Sequence, residues 1–241
     1  YYMATDTVAV KSEPVCVKVD YLSEKAVRLL IDQPDKTTLK GQRDMFFMIL
    51  LYDTGARVDG LLSARIRDLQ TESPAKIRLT GKGRKTRTVP LSVKTVSHFK
   101  RYMSKFHPEA TIYSDEYIFY TNRVGKDQKM SHDTVLAFMR AYGLAARKYC
   151  PEIPENVHPH LFRHSRAMHL YQGGMDLTLV SQWLGHANLQ TTLIYAHADT
   201  EQKRKAIELA TSRESPAKKN PSVKVYTVSD EDTLMKLYGL K

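Results

Sequence analysis

"HPHLFRHSRAMHL", residues 158–170, packs four histidines and two arginines into thirteen positions. At helical spacing His160, Arg163 and His164 fall at i, i+3 and i+4, so the three share one face. His160 and His164 have the separation of a zinc-binding H-E-x-x-H motif. Leu161 stands where that motif needs its glutamate, however, and Arg163 sets a fixed positive charge on the same face, which repels a metal cation. An arginine between histidines suits an anion instead. The guanidinium fork holds two phosphate oxygens at once, and an imidazole can pass a proton.

The whole chain leans the same way. Thirty-seven Lys+Arg against 26 Asp+Glu in 241 residues give a formal charge of +11, which points to a polyanionic partner. An acidic membrane surface would call for a basic amphipathic helix with a bulky apolar face, and the sequence shows none. The longest apolar run, "MFFMILLY" (45–52), is too short to span a bilayer. Cys16 and Cys150 are the only cysteines and the start is not signal-like, so a reduced, cytoplasmic protein is expected, without a disulfide framework or a cysteine zinc site. Residues 1–19 are polar and lack helical period; they read as a linker from an upstream domain.

Outward from the opening stretch, the pattern predicts a mainly helical domain. "YLSEKAVRLLI" opens a helix capped by Ser23 and stapled by Leu22 and Val27. A longer helix covers about 39–53 and breaks at Gly55. "KIRLT" (76–80) and "TRTVPL" (86–91) alternate around "GKGRK", a hairpin with a basic tip. Helices follow at about 92–106 and 131–149, the second capped by Ser131, with "YIFY" (117–120) between them as a third strand. The remainder reads as helices at about 159–173, 176–184, a short piece up to Tyr195, and 199–212. After the proline-containing linker "SRESPAKKNPS" come a short strand, "VKVYTV", and a last helix capped by Ser229. The expected fold class is therefore α+β: mainly α with a small antiparallel β-sheet. Its organisation is a linker (1–19), a domain at 20–212 and a tail at 213–241.

Singly, the other chemical candidates are unremarkable. Arg57 could cap a helix end, Lys82 could be a solvated hairpin tip, and Tyr195 is one of fourteen tyrosines. Together they form an ordered set: "TGARVDGLL", "LTGKGRKTRTVPL", "HPHLFRHSRAMHL" and "WLGHANLQTTLIYAH". In that order and spacing they resemble the catalytic domain of the tyrosine recombinases, the phage-integrase family, over about residues 20–212.

The resemblance implies a site in which Tyr195 attacks a DNA phosphodiester and forms a 3′-phosphotyrosyl bond. It places the family's two arginines on Arg57 and Arg163, its hairpin lysine on Lys82, and its two histidines on His160 and His186. A phenol with a pKa of about 10 needs a base and an electropositive site, and His160 is the expected proton acceptor. Arg57, Arg163 and His186 would stabilise charge on the non-bridging oxygens, and Lys82 would protonate the leaving 5′-oxygen. Arg84, Lys85, Arg87, His164 and Arg166 are expected to hold DNA phosphates, with Lys85 second choice to Lys82 as the acid.

No metal or organic cofactor is implied. The implied partner is double-stranded DNA, bound by a homotetramer in the synaptic complex and a monomer in solution, in a bacterial, nucleoid-associated setting and in the service of a mobile element. Two other readings keep the DNA partner: a monomeric type IB topoisomerase-like relaxing enzyme, and a DNA-binding protein that has lost activity. One departure bears on the latter. The family commonly has an acid three positions after its first arginine, and here that position is Gly60.

Overall fold

The computed structural model describes residues 19–198 apart from 82, 84, 122–124 and 187, together with 204, 207 and 208. These fall in two compact units divided between Thr200 and Glu201. In the second, Arg204, Ile207 and Glu208 are helical, and Arg204 donates to Glu208 one turn on. The tail strand, the helix expected from Ser229 and most of the helix expected at 199–212 lie outside the described residues.

The first unit is built on helix α2, Leu39–Thr54. Its apolar positions do not keep to one stripe, and such a helix is stable only when surrounded; α1 (Glu24–Asp32), α4 (Val93–Phe106) and α6 (Pro159–Gln172) pack around it. Phe46 stacks on Tyr102 of α4 at 4.8 Å between ring centroids, and Phe47 meets Phe119 edge-on at 4.9 Å and Phe138 of α5 (His132–Arg147) at 5.7 Å. The expected caps are in place. Ser23 accepts from the Ala26 N–H, Ser131 accepts from the Thr134 N–H, and Leu22 and Val27 are both buried. Gly55, at φ 57°, ends α2 in the left-handed region that favours glycine.

The hairpin also forms as expected. Strands β2 (Lys76–Thr80) and β3 (Thr86–Pro90) pair antiparallel from Lys76↔Pro90 to Thr80↔Thr86, and the Gly81 N–H donates to the Lys85 carbonyl at 2.8 Å. The third strand of this sheet is not "YIFY" but β1, Leu69–Gln70. Ile118 and Phe119 are both fully buried and thread the core, tied by the Ile118 N–H to the Ala64 carbonyl at 3.1 Å. Only the end of that stretch is a strand: β4, Tyr120–Thr121, pairs with β5, Gly125–Lys129, in a separate two-stranded sheet. Two apolar residues buried in succession leave no alternation for a half-buried strand.

Two short helices follow α6. α7 is Leu177–Leu184 and α8 is Gln190–Ala198. Both pack on α6 around a second, smaller core of Val19, Ala167, Met168, Val180, Leu184 and Tyr195. Among the described residues no helix is long and apolar enough to cross a membrane.

Candidate active site

Two helices end on left-handed glycines, and one arginine joins the two ends. α2 stops at Gly55 and α7 stops at Gly185, φ 65°. A Cβ on Gly55 would come within 2.9 Å of the Leu184 side chain, so this approach requires glycine. Arg163, from the middle of α6 and only 3% exposed, donates through one terminal nitrogen to the Gly55 carbonyl (2.6 Å) and through the other to the Leu184 carbonyl (2.7 Å). These are carbonyls that helix geometry leaves without partners, at the negative ends of two helix dipoles, and a buried cation satisfies both conditions. Burial and the neighbouring Arg57 and Arg87 push the Arg163 guanidinium down to about 9, so it stays charged at neutral pH.

Arg57 sits at the N-cap of α3 (Val58–Leu62), three residues beyond Thr54. Backbone geometry holds it: the buried Thr54 hydroxyl donates to the Leu50 carbonyl at 2.6 Å and accepts from the Ala56 N–H at 3.2 Å. The position expected to be acidic, Gly60, lies against β2, where a Cβ would come within 3.1 Å of the Thr80 carbonyl. This tight approach of α3 to the loop end of the hairpin suits a residue without a side chain.

His186 follows directly on the Gly185 turn. The Gly185 N–H donates to Gln182 and the His186 N–H to Ser181, the paired bonds that close a Schellman turn. Its Nδ1 lies 2.8 Å from the hydroxyl of fully buried Thr192. Burial, and then Arg163, Arg57 and Arg87, push the imidazole down to about 4, so it is neutral at pH 7. In the tautomer whose Nδ1 accepts from Thr192, the ring proton is on Nε2, which can donate to a phosphate oxygen.

Tyr195, on α8, is 1% exposed and part of the smaller core, and burial raises its phenol while Arg163 opposes the rise. Its hydroxyl lies 2.9 Å from Nδ1 of His164. The residue expected as its proton acceptor, His160, is exposed one turn earlier, its ring 6.5 Å from that of His158. Burial, followed by the positive charge of neighbouring side chains, lowers both His160 and His164, so His164 is neutral and can accept from the phenol. His164 was expected on DNA; in the structure it faces Tyr195.

Arg166, also expected on DNA, is turned into the packing between α6 and α2. It pairs with Asp53 at 3.2 Å and lies over the rings of Tyr52 and Trp183 at 5.3 and 5.6 Å. Lys85 is exposed on the hairpin and Arg87 is partly buried beside Gly185. Lys82 and Arg84 lie outside the described residues. The structure thus brings Arg57, Arg87, Arg163, His164, His186 and Tyr195 together and leaves Arg166 out. What the sequence could not show is the pairing of His164 with Tyr195. The positions are 31 residues apart, on helices whose contact no local pattern specifies.

A buried phenol beside Arg163 and neutral histidines, in a helical domain with a basic hairpin, is an arrangement whose charge suits an anion. The phage integrase family model matches residues 20–202, and the chain belongs to that family. Tyrosine recombinase XerA of Pyrococcus horikoshii is 33% identical over 189 residues, 78% of this chain and 60% of the relative. Tyrosine recombinase XerD of Staphylococcus epidermidis is 32% identical over 186 residues, 77% and 60% of the two chains. This chain spans about three fifths of the length of these curated relatives.

Among solved structures, the crystal structure of XerA recombinase matches with a TM-score of 0.63 at 25% identity, covering 83% of this chain and 67% of that one. XerH recombinase in a post-cleavage complex with its palindromic difH substrate matches at 0.62 and 25% identity, covering 79% and 53%. The Tn1549 transposon integrase, at 20% identity and 0.62 over 87% and 70%, shares the fold.

Proposed function

We propose that this chain is the catalytic part of a site-specific DNA recombinase that breaks and rejoins strands through Tyr195. The observation that carries the reading is the Tyr195 hydroxyl held on a neutral histidine next to Arg163, in a chain whose family includes named tyrosine recombinases. In the forward step the phenol oxygen bonds to phosphorus and the bond from phosphorus to the 5′-oxygen breaks. The phenol proton goes to His164 Nδ1, the base its geometry favours over His160. Arg57, the free N–H groups of Arg163, and His186 Nε2 stabilise the charge that gathers on the non-bridging oxygens. Lys82 gives the 5′-oxygen its proton, a role that rests on the family resemblance alone. Attack by a second 5′-hydroxyl reverses the step, so the bond energy is conserved and no nucleotide cofactor is needed.

Duplex DNA as the partner follows from the charge of +11 and from relatives solved with DNA. A homotetramer on two duplexes, a monomer in solution, a bacterial cytoplasmic setting and a mobile element as owner complete the proposal. Its support for assembly is the family resemblance, in which C-terminal segments dock on a neighbouring subunit, together with the amphipathic pattern that follows Ser229.

The test uses nicked duplexes drawn from the DNA flanking the coding region, with the products run on a denaturing gel. A protein–DNA adduct carrying a 3′-phosphotyrosine is expected. Site-independent relaxation of a supercoiled plasmid by the monomer, without strand exchange, would favour a topoisomerase. Binding without any adduct would sink the enzymatic reading.

A further inference from the structure

The hairpin contributes an arginine whose surroundings differ from those of its neighbours. Lys85 is exposed, as a side chain on a flanking phosphate should be. Arg87 is the second residue of β3, opposite Leu79, and its side chain lies against the Gly185 turn. A Cβ on Gly185 would come within 2.9 Å of Arg87 Cδ and 3.0 Å of its NH1 nitrogen. Its Nε and NH2 nitrogens are buried without a hydrogen-bond partner among the described residues. A buried, unpaired N–H group costs stability, more so on a charged side chain, and a fold carries one only where something else offsets it.

The electrostatics sharpen the problem. Burial and then Arg57 push Arg87 down to about 10, and Arg87 in turn depresses Arg163 and His186. Arg57, Arg87 and Arg163 therefore lie within reach of one another's charge, and among the described residues none of the three has a carboxylate partner. Each terminal nitrogen of Arg163 already gives one N–H to a backbone carbonyl, so half of its terminal donors are committed to holding the helix ends. The unused donors of Arg87 are shielded from solvent, on a side chain close enough to Arg57 to feel its charge.

We propose that Arg87 is a third arginine of the reaction site, donating to the non-bridging oxygens of the same phosphate that Tyr195 attacks. It is then a catalytic residue and not a clamp on a neighbouring phosphate. The inference deepens the recombinase reading and rests on it. Gly185 has a second role in this arrangement: it ends α7 and leaves the space through which the Arg87 stem reaches the site.

The experiment uses Arg87→Met, which keeps the stem and removes the charge. Single-turnover adduct formation is measured at saturating nicked duplex, once with an ordinary scissile phosphate and once with a methylphosphonate there. Loss of one charged donor to the transition state is expected to slow the phosphodiester reaction by about 100-fold or more. DNA affinity should stay within about twofold, and the deficit should shrink to a few-fold on the uncharged methylphosphonate, which has less charge to stabilise. Weaker binding with an unchanged rate at saturation would make Arg87 a flanking clamp and overturn the proposal. An equal deficit on both substrates would overturn it too, as the mark of a merely structural role.

Thermal melting supplies a readout that does not need the reaction. Arg87→Met should melt at or above the wild type, because an unpaired buried charge is gone, and inorganic phosphate should raise the melting temperature of the wild type more than that of the variant. A lower melting temperature for the variant, or equal stabilisation of both by phosphate, contradicts the assignment. If the wild type forms no adduct on any duplex, the recombinase reading fails on its own, and the phosphate arm still decides whether Arg87 belongs to an anion site.

Discussion

Arg163→Lys isolates the structural task of an arginine that, in the proposed function, also serves the reaction. The substitution keeps one positive charge on α6 but replaces a fork with a point. Arg163 reaches the Gly55 carbonyl at 2.6 Å and the Leu184 carbonyl at 2.7 Å from a site that is 3% exposed. An ammonium can satisfy one of these, leaving the other buried helix-end carbonyl unpaired. A hydrogen bond to a charged group contributes about 1.5–3 kcal/mol, and a buried polar group left unsatisfied costs about 1–3 kcal/mol. These are two views of one loss, so the expected destabilisation is about 2–3 kcal/mol. In a domain of this size each kcal/mol moves the melting temperature by about 2–4 °C. The variant should therefore melt roughly 4–12 °C below the wild type when followed by circular dichroism at pH 7.5. DNA affinity, which depends on charge, should change little, while adduct formation falls by about 100-fold because the bidentate contact is lost. Melting within about 1 °C of the wild type would refute the bridge between the two helix ends.

Other expectations follow from single contacts. Gly143→Ala should destabilise by about 1–3 kcal/mol, although alanine is the better helix former, because its Cβ would lie 2.6 Å from buried Val157; an equal or higher denaturation midpoint would contradict this. His98, His158, His160, His164, His169 and His186 are all depressed, chiefly by burial, the last to about 4. The unfolded chain takes up these protons near pH 6.5 while the folded one resists until lower pH, so their contribution is complete above that value and is lost as pH falls toward the folded values. Melting temperature should drop between pH 7.5 and 5, and a flat or rising profile would count against neutral imidazoles. A double-mutant cycle of His164→Ala and Tyr195→Phe should give a coupling of about 0.5–1.5 kcal/mol for the buried hydroxyl–imidazole bond, and independent effects would deny the contact. Adduct formation should persist in excess EDTA, since the arginines supply the positive charge and the neutral histidines only hydrogen bonds; loss restored by a divalent cation would contradict the mechanism.

Much of the fold was legible because its ends are marked by residues with one physical job. Ser23, Ser131 and Gly55 stop or start helices through side-chain oxygens or a positive φ, and "KIRLT" and "TRTVPL" alternate cleanly around glycines. What escaped is what depends on distant partners. Strand β5, "GKDQK", has no apolar alternation and exists because Tyr120 and Thr121 pair with it. "YIFY" has strand composition, yet burial on both sides turns its centre into core. Arg166 reads as a surface charge until Asp53, 113 residues earlier, is placed beside it. The motifs singled out Tyr195, Arg57 and Arg163 as candidates through family resemblance. They could not say that Arg163 also ties two helices, or that His164 rather than His160 meets the phenol.

The most direct test of the account is Tyr195→Phe on a nicked duplex from the flanking DNA. The change removes one hydroxyl and leaves charge and packing nearly intact, so the variant should bind DNA like the wild type and form no covalent adduct on a denaturing gel. An adduct that persists in the variant would show that the nucleophile is another residue and that the site is wrongly assigned.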